Sequence, residues 1–312
     1  MQSQDKKAED MMMSINKKLL LIKLFFIFYL MIIEFSHGGE RVNHLNYFGI
    51  GARAIGLNHA YTASCNDYTA AFWNPAAMGF FSTTKIGGMI NSMSLNRALN
   101  YFSLILSSEK YGSFGLSWAG FGVQDVEVRD ANTEEPDSYF NSSEKIYFLT
   151  YANKVLPYLA VGGNFKLFDF GMLNVKANGI AADLGLFFIP WNKLRFGFVV
   201  QDIGSQLTWS SKTTEKFLET YRFGSSFYIS EKLLLSCDYQ LQNGKKGKLS
   251  IGTEFITLKY LQIRCGLQEQ KLSIGLGLTL PIKNAYLNFN YALTTDRMDA
   301  GYSDVFDFSV VF

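Results

Sequence analysis

The stretch GIGARAIGLNHAYTASCNDYTAAFWNPAAM, residues 49–78, is the least strand-like part of the chain. It contains Gly49, Gly51 and Gly56, a polar hinge at Asn66-Asp67, and the aromatic pair Phe72-Trp73 running into Asn74-Pro75. Residues 49–57 alternate small and apolar side chains, as a short extended segment does. Asn66 or Asp67 can cap a helix over residues 68–73, and Pro75 stops it, because proline lacks the backbone donor that the next turn needs. Nearly everything after this stretch reads as alternating strands. The expectation is a compact plug with the strands closed around it; the plainer alternative is a strand, turn and helix packed on an ordinary core.

The alternation is clearest at KLSIGLGLTL, residues 271–280. Successive strand side chains point to opposite faces. Leu272, Ile274, Leu276, Leu278 and Leu280 therefore share one face, with Ser273, Gly275, Gly277 and Thr279 on the other. The same rule sets Leu194, Phe196 and Phe198 against Arg195 and Gly197, and Leu261, Ile263 and Cys265 against Gln262 and Arg264. Turn residues punctuate the runs at 109–112, 190–193, 243–245 and 283–284. About fourteen strands of ~10 residues fit between residues 84 and 312 by this rule. The longer polar connections, 130–144 and 205–216, are assigned to one side of the barrel.

Alternating strands also build soluble sandwiches. Three features favour a membrane barrel. The strand length suits a tilted crossing of a bilayer. Bulky residues recur on the greasy face of nearly every strand, with aromatics near strand ends. The chain ends DVFDFSVVF, an alternating strand closing on Phe312, the kind of terminal strand that outer-membrane barrels present for assembly. A sheet in hydrocarbon leaves no open edge, so fourteen strands imply closure. The opposite face carries Asp183, Arg195, Arg222, Asp238, Glu254 and Arg264. These alternate in sign on consecutive strands, Asp183/Arg195 and Arg222/Asp238, and are read as lumen charges that neutralise one another, since buried charges persist when paired; a substrate-binding ladder is the alternative.

Charged residues make up 18% of the 312 residues and net charge is +2, which gives no electrostatic case for nucleic acid. The three cysteines, Cys65, Cys237 and Cys265, lack the spacing of a zinc or redox site. The three histidines, His37, His44 and His59, all precede the strands. A Ser-His or His-metal centre within the strand region is thereby excluded, and no enzyme, metal or cofactor is expected. The acidic residues Asp130, Glu134, Glu135 and Asp137 read as a solvated loop. At the N-terminus, Lys17-Lys18, an apolar run over residues 19–33 and Ser36-His37-Gly38 have the anatomy of a secretory signal cleaved before Gly39. Met13 is an alternative start to Met1, and a retained anchor is the rival to cleavage. The expected organisation is residues 1–38 as N-terminal extension and signal peptide, 39–83 as hatch, and 84–312 as an all-β, antiparallel transmembrane barrel.

Residues 51–78 resemble the N-terminal signature of the PorV/PorQ family, its UPF0164 relatives and the FadL fatty-acid transporter family. The matching residues include Gly51, Arg53, Gly56, Asn66, Asp67, Phe72, Trp73, Asn74 and Pro75. Asn58-His59 stands where paired glycines are common, Asn66 replaces an aspartate and Ala77 a glycine. Residues 182–186, 194–204, 261–266 and 272–280 are similar to the middle and late strands of these barrels. The resemblance implies a fourteen-stranded outer-membrane barrel with an N-terminal hatch, exported to that membrane, with membrane lipid and the barrel assembly machinery as partners. In the PorV branch such a barrel serves type IX secretion, handling secretion components and exported cargo proteins on their way to surface attachment; that role is placed first. A gated conduit for a hydrophobic small molecule, as in the FadL branch, is placed second.

Overall fold

The computed structural model describes residues 40–312 apart from 42, 133 and 297–299. The expected signal segment lies outside the described residues. Fourteen antiparallel strands close into a barrel. In chain order they are β2 (Lys85–Met93), β3 (Arg97–Ser108), β4 (Gly112–Val128), β5 (Ser138–Leu156), β6 (Leu159–Met172), β7 (Val175–Trp191), β8 (Leu194–Trp209), β10 (Thr220–Ser230), β11 (Leu233–Gln242), β12 (Lys248–Leu258), β13 (Leu261–Gln268), β14 (Lys271–Ile282), β15 (Ala285–Thr295) and β16 (Tyr302–Val311). Each pairs with its neighbours in sequence, and β16 pairs with β2, so no edge is left open. The Phe312 amide donates to the Thr84 carbonyl at the closure. This excludes the sandwich. A short β1 (Glu40–Arg41) lies parallel to β9 (Thr214–Phe217), which itself pairs with the top of β8.

Every barrel strand carries at least one exposed large apolar side chain on its outer face, from Ile90 on β2 to Phe306 and Phe308 on β16. A surface so composed needs hydrocarbon around it, because water would penalise each such side chain. The outward set on β14 is the one the alternation assigns: Leu272, Ile274, Leu276 and Leu278 are all exposed.

Six turns of two or three residues, at 109–111, 157–158, 192–193, 231–232, 259–260 and 283–284, fall at one end of the barrel. The two longest connections, 129–137 and 210–219, fall at the other. Both are shorter than the sequence pattern suggests, because β5 begins before, and β8 runs on past, the expected limits. β5 has 19 residues and β11 has 10, about 60 Å against about 35 Å along the strand at ~3.3 Å per residue. In this tall half the polarity inverts. Lys145, Asp169 and Lys176 point outward and are exposed, while Phe168 and Phe170 point inward and are buried. An alternation rule that ties polar residues to the lumen therefore misplaces the upper part of β5–β8.

Candidate functional site: the lumen and its inner segment

Residues 43–83 run through the lumen from the long-loop end to the tight-turn end. They form three short helices and a 3-10 turn: α1 (His44–Phe48), α2 (Ala52–Gly56), α3 (Ala70–Trp73) and Pro75–Phe80. The helical turn at α2 departs from the extended segment expected there. Gly51 adopts φ 88°, which favours glycine, and the next amide, on Ala52, donates to Asp307 on β16 at 2.6 Å. α3 is shorter than the expected helix. Asp67 does not cap it directly but accepts from the Thr69 amide and hydroxyl at 2.9 and 2.6 Å.

The wall accommodates this segment by omitting side chains. A Cβ on Gly162 would sit 2.7 Å from the Ala76 amide, on Gly224 2.8 Å from the Ala63 amide, and on Gly252 2.8 Å from the Leu57 carbonyl. Gly275 faces Gly56, whose Cα lies 3.2 Å from where its Cβ would be. Backbone thus packs on backbone around much of the barrel. Polar wall residues then satisfy the segment's irregular backbone, as buried donors and acceptors require. The Phe72 carbonyl accepts from Gln201, Ala71 from Asn164, Ala63 from Ser226 and Met78 from Ser113, all within 2.9 Å. Asn74 donates to the Leu186 carbonyl at 3.0 Å and accepts from the Ala76 amide, with Pro75 opening the 3-10 turn. Trp73 is fully buried and donates to the Ile50 carbonyl at 2.7 Å. Phe72 and Trp73 meet edge to face.

The six lumen charges expected from the sequence fall into two clusters and three separate residues. In the first cluster Lys166 Nζ lies 2.6 Å from Asp183 and 2.7 Å from Asp202, with Asn43, Asn46 and Asn164 completing the carboxylate shells. Asp183 is therefore matched by Lys166, not by Arg195. In the second, Glu254 accepts from Arg53 through both oxygens, at 2.7 and 2.8 Å, and from Arg264 at 2.6 Å. Arg53 also reaches Tyr61 and Asn66. Burial opposes the Arg53 charge, but Glu254 outweighs it and holds the pKa well above the ordinary value. Tyr61, which donates to Asp67 at 2.5 Å, has its hydroxyl pushed well up by burial.

Arg222 lies apart, over the Trp73 ring at 4.9 Å and hydrogen-bonded to Gln201. Asp238 accepts from the Thr62 amide at 2.8 Å. Arg195 stands outside both clusters, over the Tyr228 ring. Phe312 is at the exposed closure of the barrel. The sequence reading missed Lys166, Asp202 and Asp307. Lys166 could have been found from parity, since it shares a face with Asn164 and Gly162. Asp202 could not: it sits at φ 64° in a bulge of β8, which turns Gln201 and Asp202 inward together.

Toward the long-loop end the lumen is apolar. Phe121, Ile146, Phe148, Phe168, Phe170 and Leu207 line it, and Phe217 folds in from the 210–219 connection. Leu45 and Phe48 of α1 fill this chamber, with Phe48 stacked on Phe121 at 5.4 Å. Polar contacts border the same helix, and the His44 ring itself lies 4.8 Å from Phe121. His44 Nδ1 lies 2.8 Å from Glu144, Arg41 pairs with the same carboxylate, and Asn46 donates to Asp202. Toward the tight-turn end the lumen is instead polar and partly open, with Asn66, Asp67, Gln262, Thr279 and Asn288 exposed or half-buried.

No protein-family profile matches the chain, and no curated protein is similar to it in sequence. Solved structures are similar in fold. The CymD monoaromatic hydrocarbon channel superposes with a TM-score of 0.59 at 13% identity, over 85% of this chain and 97% of its own. The Ralstonia pickettii toluene transporter TbuX gives 0.58 at 14% identity, over 86% and 98%. A Pseudomonas aeruginosa FadL homologue gives 0.57 at 12%, over 84% and 97%. With its fourteen strands closed end to end, the chain has the barrel fold of these transport proteins.

Proposed function

We propose that this protein is a gated conduit for small, uncharged hydrophobic molecules across an outer membrane. The observation that carries the reading is the apolar chamber at the long-loop end, lined by aromatic side chains and occupied by Leu45 and Phe48. A chamber that holds two apolar side chains of the chain itself can hold a ligand of the same character once α1 moves aside. The cations that border it, Arg41, Arg97 and Lys166, already face Glu144, Asp296 and the Asp183/Asp202 pair, so the site favours a neutral molecule over a carboxylate. The fold shared with hydrocarbon channels and toluene transporters supports the same choice. This ordering reverses the one drawn from sequence. A protein-docking accessory for secretion has no use for an enclosed aromatic chamber, and the conduit does.

The test is uptake of labelled toluene by cells lacking the protein, complemented with wild type or with empty vector. Faster uptake with the protein is expected. Equal rates would sink the conduit reading, and co-purification of secretion components or cargo after crosslinking would restore the secretion role. Faster migration of unboiled protein on a gel, with recovery in the outer-membrane fraction, checks the closed barrel and its location.

A further inference from the structure

The net charge of +2 conceals a strongly uneven surface at the tight-turn end. Each of the six turns there carries an exposed lysine in it or within three residues of it: Lys110, Lys154, Lys193, Lys232, Lys259 and Lys283. The acidic residues of these turns are Glu109 and Glu231. None of the six lysines forms an ion pair among the described residues. The long-loop end shows no such uniformity: its 129–137 connection is acidic and its 243–247 connection basic.

The lysines stand at the rim of the apolar belt. Tyr111 follows Lys110, Trp191 precedes Lys193 by two residues, and Leu258 and Ile282 immediately precede Lys259 and Lys283. All four neighbours are at least 48% exposed. A lysine beside an exposed apolar residue can lay its methylene stem along the hydrocarbon and lift its ammonium to the headgroup level. Turns consecutive in the chain are two strands apart, about 10 Å around the barrel at ~4.8 Å per strand. That separation is close to the screening length at 0.1 M salt, about 10 Å, so adjacent lysines reinforce one another.

We propose that the tight-turn end is a binding collar for anionic phospholipid headgroups, with the six lysines as its contacts. The collar rests on the bilayer-spanning reading and is independent of what the lumen carries. It would select anionic lipids from the adjoining leaflet and fix the depth at which the barrel sits.

The experiment uses the full mature protein in phosphatidylcholine vesicles containing a trace of spin-labelled phosphatidylglycerol or spin-labelled phosphatidylcholine, with the motionally restricted fraction read by electron paramagnetic resonance. Wild type is expected to restrict phosphatidylglycerol at least about twofold over phosphatidylcholine. The preference should collapse between 0.01 and 1 M salt, as the screening length falls from about 30 to about 3 Å. Replacing the six lysines with glutamine should bring the ratio to about one, whereas Glu109→Gln with Glu231→Gln should raise it. All these sites are exposed turn or strand-end positions, and heat-modifiability reports whether each variant inserts. An inserted wild type with equal affinity for both lipids, or a six-glutamine variant with the preference intact, overturns the collar alone. Failure of the wild type to insert overturns the collar and the membrane reading together.

Discussion

Lys166→Met should destabilise the barrel by about 3–5 kcal/mol, the cost of removing one partner of a buried ion pair. The lysine is 1% exposed and touches two carboxylates, at 2.6 and 2.7 Å. At an effective dielectric constant of about 20, each pair at this distance is worth roughly 6 kcal/mol of attraction. Desolvating three charges removes several kcal/mol per ion, so the net worth of the cluster is far smaller than the attraction. Its disruption is costly because Asp183 and Asp202 stay behind, both buried, without a cation. Their hydrogen bonds from Asn43, Asn46, Asn164 and the Asp202 amide remain, which favours the lower end of the range. The assay is urea unfolding of the protein in lipid vesicles, followed by tryptophan fluorescence and extrapolated linearly to water. Adding Asp183→Asn to Lys166→Met should recover more than half of the loss, because one uncompensated charge is then gone. A loss below about 1 kcal/mol for the single variant would mean that the three groups do not form a buried charged cluster.

Three further outcomes follow from the inner segment. Leu45→Ala with Phe48→Ala should empty the chamber and raise toluene uptake several-fold, at a stability cost of about 2–5 kcal/mol per residue; unchanged uptake would show that α1 does not obstruct the path. Gly162→Ala should cost about 1–3 kcal/mol by overpacking against the Ala76 amide, and proteolysis should reveal a loosened inner segment. Gly122→Ala is its control, since that Cβ would meet nothing nearer than 3.5 Å. In a Cys237→Ser, Cys265→Ser background, which removes the half-buried and exposed thiols, Cys65, 1% exposed and with its thiol pushed well up by burial, should react with a charged maleimide at pH 8 only after unfolding, because the thiolate is the reactive form; fast labelling of that folded variant would place Cys65 at an open surface.

The sequence alone determined the number of strands, their antiparallel order and, over β10–β16, which side chains face out. It could do so because the period of two is a local property, and because a bilayer imposes the same requirement on every strand that crosses it. It also located the inner segment, whose glycines and Asn74-Pro75 turn interrupt that period. The heights of β4–β8 were not legible, because above the apolar belt both faces carry mixed side chains and the pattern loses its sign. Nor was the charge pairing. Asp183 and Arg195 are inward residues of consecutive strands, and only the register of β6, β7 and β8, together with the bulge at Asp202, brings Lys166 between the two aspartates. The lysine collar and the aromatic chamber were hidden for the same reason. Their residues are scattered through the sequence, and closing the barrel puts six turns at one end and seven separate apolar side chains around one space.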